Sequence, residues 1–174
     1  MTDTAPDLLA FEEAPLYFDE TPLPGTEELL AEAAVSYGQP SAELALLRAY
    51  FFAPRQLSVL VALYRYYYYQ HRLEDALRVA ERAMDAAAGR LALTGDWHSL
   101  SLANLGEVAR HSIGLLRFYL LALKASAIVL LRSGNLEEGH ARLKKIIELD
   151  PQDRLGAGAL MRIPGVAPNL SSPL

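Results

Sequence analysis

The stretch IGLLRFYLLALKASAIVLL, residues 113–131, constrains the fold more than any other part of the chain. It is long and apolar enough to cross a bilayer, yet Arg117 and Lys124 stand near its middle. A charge at the centre of a span costs about 2.5 kcal/mol or more. The run therefore reads as a helix buried inside a protein. A helix that is apolar on every side needs neighbours on every side. With 52% hydrophobic residues among 174, the chain has the material to surround it. No segment alternates apolar and polar residues between hairpin turns, so those neighbours are expected to be helices too.

The punctuation fits. Residues 1–24 are acidic, carry Pro6, Pro15, Pro22 and Pro24, and read as an arm, with Tyr17 and Phe18 inside a short apolar anchor. A first helix is expected from Thr26, a candidate N-cap followed by Glu27 and Glu28 at the positive end of the helix dipole. Gly38, Gln39 and Pro40 break it. A second runs from about Ser41 to Pro54, and a third from Gln56 to about Gln70. A fourth follows the turn at Arg72 and runs to about Leu93. TGDWHS, residues 94–99, reads as a loop anchored by Trp97. Then come a short helix at 101–110, a long one at 113–132, a turn at SGN, and a last helix from Leu136 to the stop at Asp150-Pro151. The tail from 156 onward, rich in Pro, Gly and Ser towards its end, is expected to be loose.

Helix pairs of this kind invite a search for a repeat. LLALKASAIVLLRSGNLEEGHARLKKIIELDPQD, residues 120–153, resembles a tetratricopeptide repeat. The resemblance rests on Leu123, Ala127 and Leu130, the turn at Gly134-Asn135-Leu136, Leu143, and the closing Leu149-Asp150-Pro151. Residues 57–90 fit the same frame through Leu60, Leu63, Tyr67, the turn at His71-Arg72-Leu73, Ala76, Ala80 and Ala83. A partial copy covers 25–56, and a helix at 94–112 is inserted between repeats. Tyr64, Gly139 and Ile146 depart from the small residues usual at their positions. The resemblance implies an all-α fold, a right-handed stack of about seven helices built from tetratricopeptide-like hairpins over residues 25–155. It also implies a concave groove that binds proteins and seldom carries catalysis.

LYRYYYYQHRLEDA, residues 63–76, sets four tyrosines side by side. Consecutive helical residues point about 100° apart, so the four rings sample every face. In the repeat frame Tyr64 and Tyr67 face the interior, while Arg65, Tyr68 and Tyr69 face or border the groove. The rings can pad an enlarged core or present an interface, since tyrosine supplies apolar area while its hydroxyl keeps a partner. Arg110, Arg117 and Lys124 recur every seven residues, and Arg132 continues the stripe. Such a stripe is a solvated face or a basic groove for an acidic peptide. The chain's own arm is one such peptide. Residues 1–47 hold ten acidic residues and no Lys or Arg, and all 16 basic residues lie from Arg48 onward.

Catalytic signatures are missing. There is no cysteine, hence no disulfide, thiolate metal site or cysteine nucleophile. The four histidines, His71, His98, His111 and His140, form no compact metal-ligand pattern. His71 and His140 fall at or just after repeat turns, where solvated or capping histidines are common. No phosphate loop, dinucleotide fingerprint or nucleophile elbow occurs. The net charge of −5 and the acidic arm argue against nucleic acid. The N-terminus has no basic, apolar leader, and a cytoplasmic location is expected.

A narrower likeness extends over VLVALYRYYYYQHRLEDALRVAERAM (59–84), the GDWHSL loop and GLLRFYLLALKASAIVLLRSG (114–134). These stretches resemble a family of small helical-repeat proteins associated with the nitrogen-fixation genes of diazotrophic bacteria. That resemblance implies a non-catalytic accessory factor without cofactor or metal. Its partner would be a nitrogenase component, the molybdenum-iron protein or an assembly intermediate, which it holds, protects or helps mature. The alternatives are a generic adaptor, a homo-oligomeric scaffold or a small-molecule-binding enzyme. The residues expected to bind protein are Arg65, Tyr68, Tyr69, Arg117, Lys124, Arg132, Tyr17 and Phe18.

Overall fold

A computed structural model describes residues 20–163, and every regular element among them is helical. The order is α1 (Thr26–Val35), α2 (Pro40–Phe52), α3 (Leu57–Tyr69), α4 (Leu73–Arg90), a 3-10 turn (Trp97–Ser99), α5 (Leu102–Arg132), α6 (Leu136–Leu149) and α7 (Ala157–Met161). Each helix packs on the next one in sequence, from α1 on α2 to α6 on α7. The expected all-α class and number of helices hold for the described residues.

The boundaries follow local chemistry. Pro40 occupies the first turn of α2, where its missing N–H costs nothing. Asn135 caps α6 by accepting from the Glu138 amide at 3.4 Å. Ser101 and Asn104 cap α5 reciprocally, side chain to backbone in both directions. Thr26, expected as an N-cap, is instead the first residue of α1. It is buried, and its hydroxyl donates to the Leu23 carbonyl at 2.7 Å.

The helices expected at 101–110 and 113–132 form one element, bent at Ser112, whose φ of −157° and ψ of 80° are not helical. Beyond the bend α5 is the core helix. Leu123, Ala127 and Val129 have no exposed surface. α5 is the one described helix long and apolar enough to span a membrane, and 72% of its most apolar window is buried against the rest of the chain. Leu57, Leu60 and Leu63 of α3 and Leu143 and Ile146 of α6 complete the centre of the core.

Two departures from the repeat pattern have physical reasons. A Cβ on Gly139 would stand 2.7 Å from the Leu131 side chain and 3.2 Å from the Ala127 carbonyl oxygen, so α5 and α6 cross so closely that even an alanine there must push Leu131 aside. Tyr64 is accommodated because Ala80, Ala83, Ala122 and Ala125 face the same cleft. Its hydroxyl donates to the Ala125 carbonyl at 3.5 Å.

The ends of the described chain are tied down. Glu20 accepts from the amides of Leu57 and Ser58 at 2.9 and 3.1 Å, which caps α3 from a distant segment. The same carboxylate pairs with Arg90 at 2.7 Å. The region from 156, expected to be loose, begins with α7. Asp153 accepts from the amides of Gly158 and Ala159 at its start, and Lys124 donates to the Leu155 carbonyl at 2.6 Å.

Candidate protein-binding surface

Four of the five tyrosines between 64 and 69 are buried, because α3 has a neighbour on almost every side. Tyr66 turns to the end of α1 and meets Tyr37, in the turn that follows it, edge to face at 6.2 Å. Tyr67 turns to the α2–α4 corner, where its hydroxyl donates to Glu43 at 3.4 Å and the Arg72 guanidinium lies 4.5 Å from its ring centre. Burial beside Glu43 raises its pKa. Tyr68 stacks on Tyr64 at 5.8 Å and is covered by the Arg132 guanidinium at 4.7 Å. Only Tyr69 is open, at 43%. The sequence expectation is thus corrected at Tyr68, which is 8% exposed and does not border an open groove. Arg132, brought from the end of α5, closes over it.

A pocket of about 560 Å³ opens between α1, α2 and α3. Arg65, Tyr66 and Tyr69 of α3 and Tyr37 in the turn after α1 line it, over Leu46 and Ala33. Arg65 and Tyr69 are one helical turn apart, so their joint presentation follows from the helix itself. Tyr37 and Tyr66 were not among the expected residues. The signal for Tyr66 was its spacing of three from Tyr69, while Tyr37 gave none beyond an aromatic ring at a helix end.

The basic stripe does not join this pocket. The bend at Ser112 breaks the period between Arg110 and Arg117. Arg117 lines a different pocket, of about 370 Å³, with Arg154, Leu116, Leu120, Leu149 and Leu155. Lys124 lies on the same side of α5 as Arg117 but is half-buried and held by the Leu155 carbonyl. Burial lowers its pKa. The expected single groove is therefore two surfaces, one around Arg65 and Tyr69 and one around Arg117, with Arg132 spent on Tyr68. Tyr17 and Phe18 lie outside the described residues.

The histidines stay apart. His98 meets Asp96 at 3.2 Å, but both side chains are mostly exposed and two residues apart in sequence. The contact belongs to the loop that Trp97 anchors, with Trp97 buried under the Arg142 guanidinium at 5.7 Å. His140, expected to be solvated, is buried on α6. Among the described residues no group of three or more His, Cys, Asp or Glu side chains could hold a metal ion.

No family model matches the chain. No solved structure matches it either. The chain is 46% identical over 157 residues to a 19.8 kDa protein of Azotobacter chroococcum mcd 1, named for its place in the nifW 5′ region. The match covers 90% of this chain and 88% of that protein. At that identity and coverage, the chain belongs to the family of this nif-region protein.

Proposed function

We propose that this chain is a non-catalytic, cytoplasmic accessory factor of nitrogen fixation that binds a nitrogenase component. The place of its relative beside nifW supports the pathway. The observation that carries the binding role is the pocket in which Tyr37, Tyr66, Tyr69 and Arg65 meet over an apolar floor. Tyrosine and arginine are the residue types that dominate protein-binding hot spots. In this reading the helices act as a tetratricopeptide-like scaffold. The partner is the molybdenum-iron protein or an assembly intermediate, which the chain holds, protects or helps mature in the manner of nitrogenase-associated factor T.

The test is affinity capture of tagged protein from the native host grown under nitrogen-fixing conditions, with mass spectrometry of what is retained. Tyr69→Ala combined with Arg65→Glu is the matched variant. Nitrogenase subunits retained by the parent and lost by the variant support the reading. Retention by both moves the interface elsewhere, and retention by neither rejects the partner.

A second reading, a homo-oligomeric scaffold, draws on α2. Leu44, Leu47 and Phe51 recur at helical spacing and are 60%, 42% and 82% exposed. Mass measured by light scattering separates the two readings. A stable oligomer abolished by Leu47→Lys and Phe51→Lys supports the scaffold, and a monomer excludes it.

A further inference from the structure

We propose that the pocket in the bend of α5 binds an apolar monocarboxylate, of which a medium-chain fatty acid is the simplest. Its chain lies on a leucine floor and its carboxylate meets Arg117 and Arg154. The pocket holds about 370 Å³ and takes its lining from both sides of the bend at Ser112. Leu102, Leu105 and Ala109 come from before the bend, and Leu116 and Leu120 from after it. On a straight helix these residues would form one flat face. The non-helical dihedrals of Ser112 instead turn two stretches of that face towards a common space. The first stretch is held where it begins, because Lys145 of α6 donates to the Leu100 carbonyl at 3.1 Å. Leu149, at the end of α6, and Leu155 complete the floor.

Volume and charge select the occupant. Leu105, Leu116, Leu120 and Leu155 are buried, while Ile113 at the rim is 67% exposed. An apolar cavity of about 150 Å³ already holds a benzene ring, and small-molecule pockets begin near about 300 Å³. Two turns of a helix 10–12 Å across fill on the order of 1,000 Å³. The pocket therefore admits a slender apolar chain and excludes the body of a partner's helix. The charged residues of its lining are Arg117, Arg154 and Asp150. Asp150 accepts from the Leu155 amide at 2.7 Å, and the two arginines are exposed at the mouth. Two guanidiniums against one carboxylate leave this lining one negative charge short. A single carboxylate supplies that charge in the geometry a guanidinium pairs with best. A phosphate monoester brings about −1.5 to −2 and overshoots the balance.

This pocket shares no lining residue with the tyrosine pocket between α1, α2 and α3. The inference thus goes beyond the proposed function and does not rest on it.

Isothermal titration calorimetry of the full-length chain with octanoate tests the site. Octanol carries the same chain without the charge, and acetate the charge without the chain. One-to-one, saturable binding of octanoate is expected, at least about tenfold tighter than octanol, with acetate inert. Arg117→Gln combined with Arg154→Gln should remove the difference between octanoate and octanol. Ile113→Glu sets a carboxylate at the rim and should weaken octanoate at least about tenfold. Ile113 is exposed, so this variant keeps its fold, and it carries the test alone if the arginine variant loses helicity by circular dichroism. No saturable binding up to about 1 mM, or equal affinity for octanoate and octanol, overturns the inference. Octanoate affinity unchanged in either folded variant also overturns it, since the amphiphile then binds elsewhere on the chain.

Discussion

Glu20 does more than its sequence position suggests. Its carboxylate is 10% exposed, caps two amides of α3 and pairs with Arg90. Charged hydrogen bonds of this kind contribute about 1.5–3 kcal/mol each when buried, and less where the partner is solvated. Glu20→Gln is expected to cost about 1–2 kcal/mol, read as a urea midpoint lowered by roughly 0.5–1 M. An unchanged midpoint would mean the cap is replaced by water. Tyr119 carries a second prediction at this scale. It is 4% exposed, and burial, with Asp85 and Asp96 nearby, pushes its hydroxyl up to about 12. A folded-state value above the unfolded one gives stability that is complete below the unfolded pKa of about 10 and lost as pH rises through 12. The loss is of order 2–3 kcal/mol at about 1.4 kcal/mol per unit. Chemical denaturation at pH 9 and pH 12 measures it, and Tyr119→Phe should remove this part of the alkaline loss. Burial raises the pKa of Tyr64 as well, so part of the loss will remain in that variant.

At the scale of the element, the α5–α6 crossing is the tightest point that can be tested. A side chain at Gly139 meets Leu131 and the Ala127 carbonyl. Alanine recovers about 1 kcal/mol of helix propensity against that clash, whereas valine cannot. Gly139→Val is expected to destabilise by roughly 2 kcal/mol or more, with Gly139→Ala much closer to neutral, in thermal or urea melts. Helix limits were largely legible in the sequence, because Pro40, Asn135, Gly134 and Ser101 act locally, through caps and fixed dihedrals. α7 was not legible, since what holds it is Lys124, far away in sequence, together with Asp153. The surface was half legible. Helical spacing brings Arg65 to Tyr69, but the cover that Arg132 puts on Tyr68 is a tertiary contact that no period reveals. The seven-residue basic stripe failed for a related reason, as the bend at Ser112 cuts the period on which it relied.

At the scale of the molecule, each helix leans on its predecessor, which keeps most contacts local. The Glu20–Arg90 bond is an exception, joining residues 70 apart. Hydrogen exchange should show this division. In the parent, amides of α1 and α2 are expected to open together with α3 and α4, and in Glu20→Gln to open earlier and separately. Identical exchange in both chains would show that helix packing alone couples the two halves.

The same bond has a meaning in time. On the ribosome, helices that need only their predecessor can settle as soon as they emerge. Glu20 must wait for Arg90, an interval of roughly 4–14 s at 5–20 residues per second. For those seconds the nascent chain has its first helices, and Glu20 holds only the amides at the start of α3. The tie from the segment before α1 to the far end of α4 is thus made only after four helices have been synthesised.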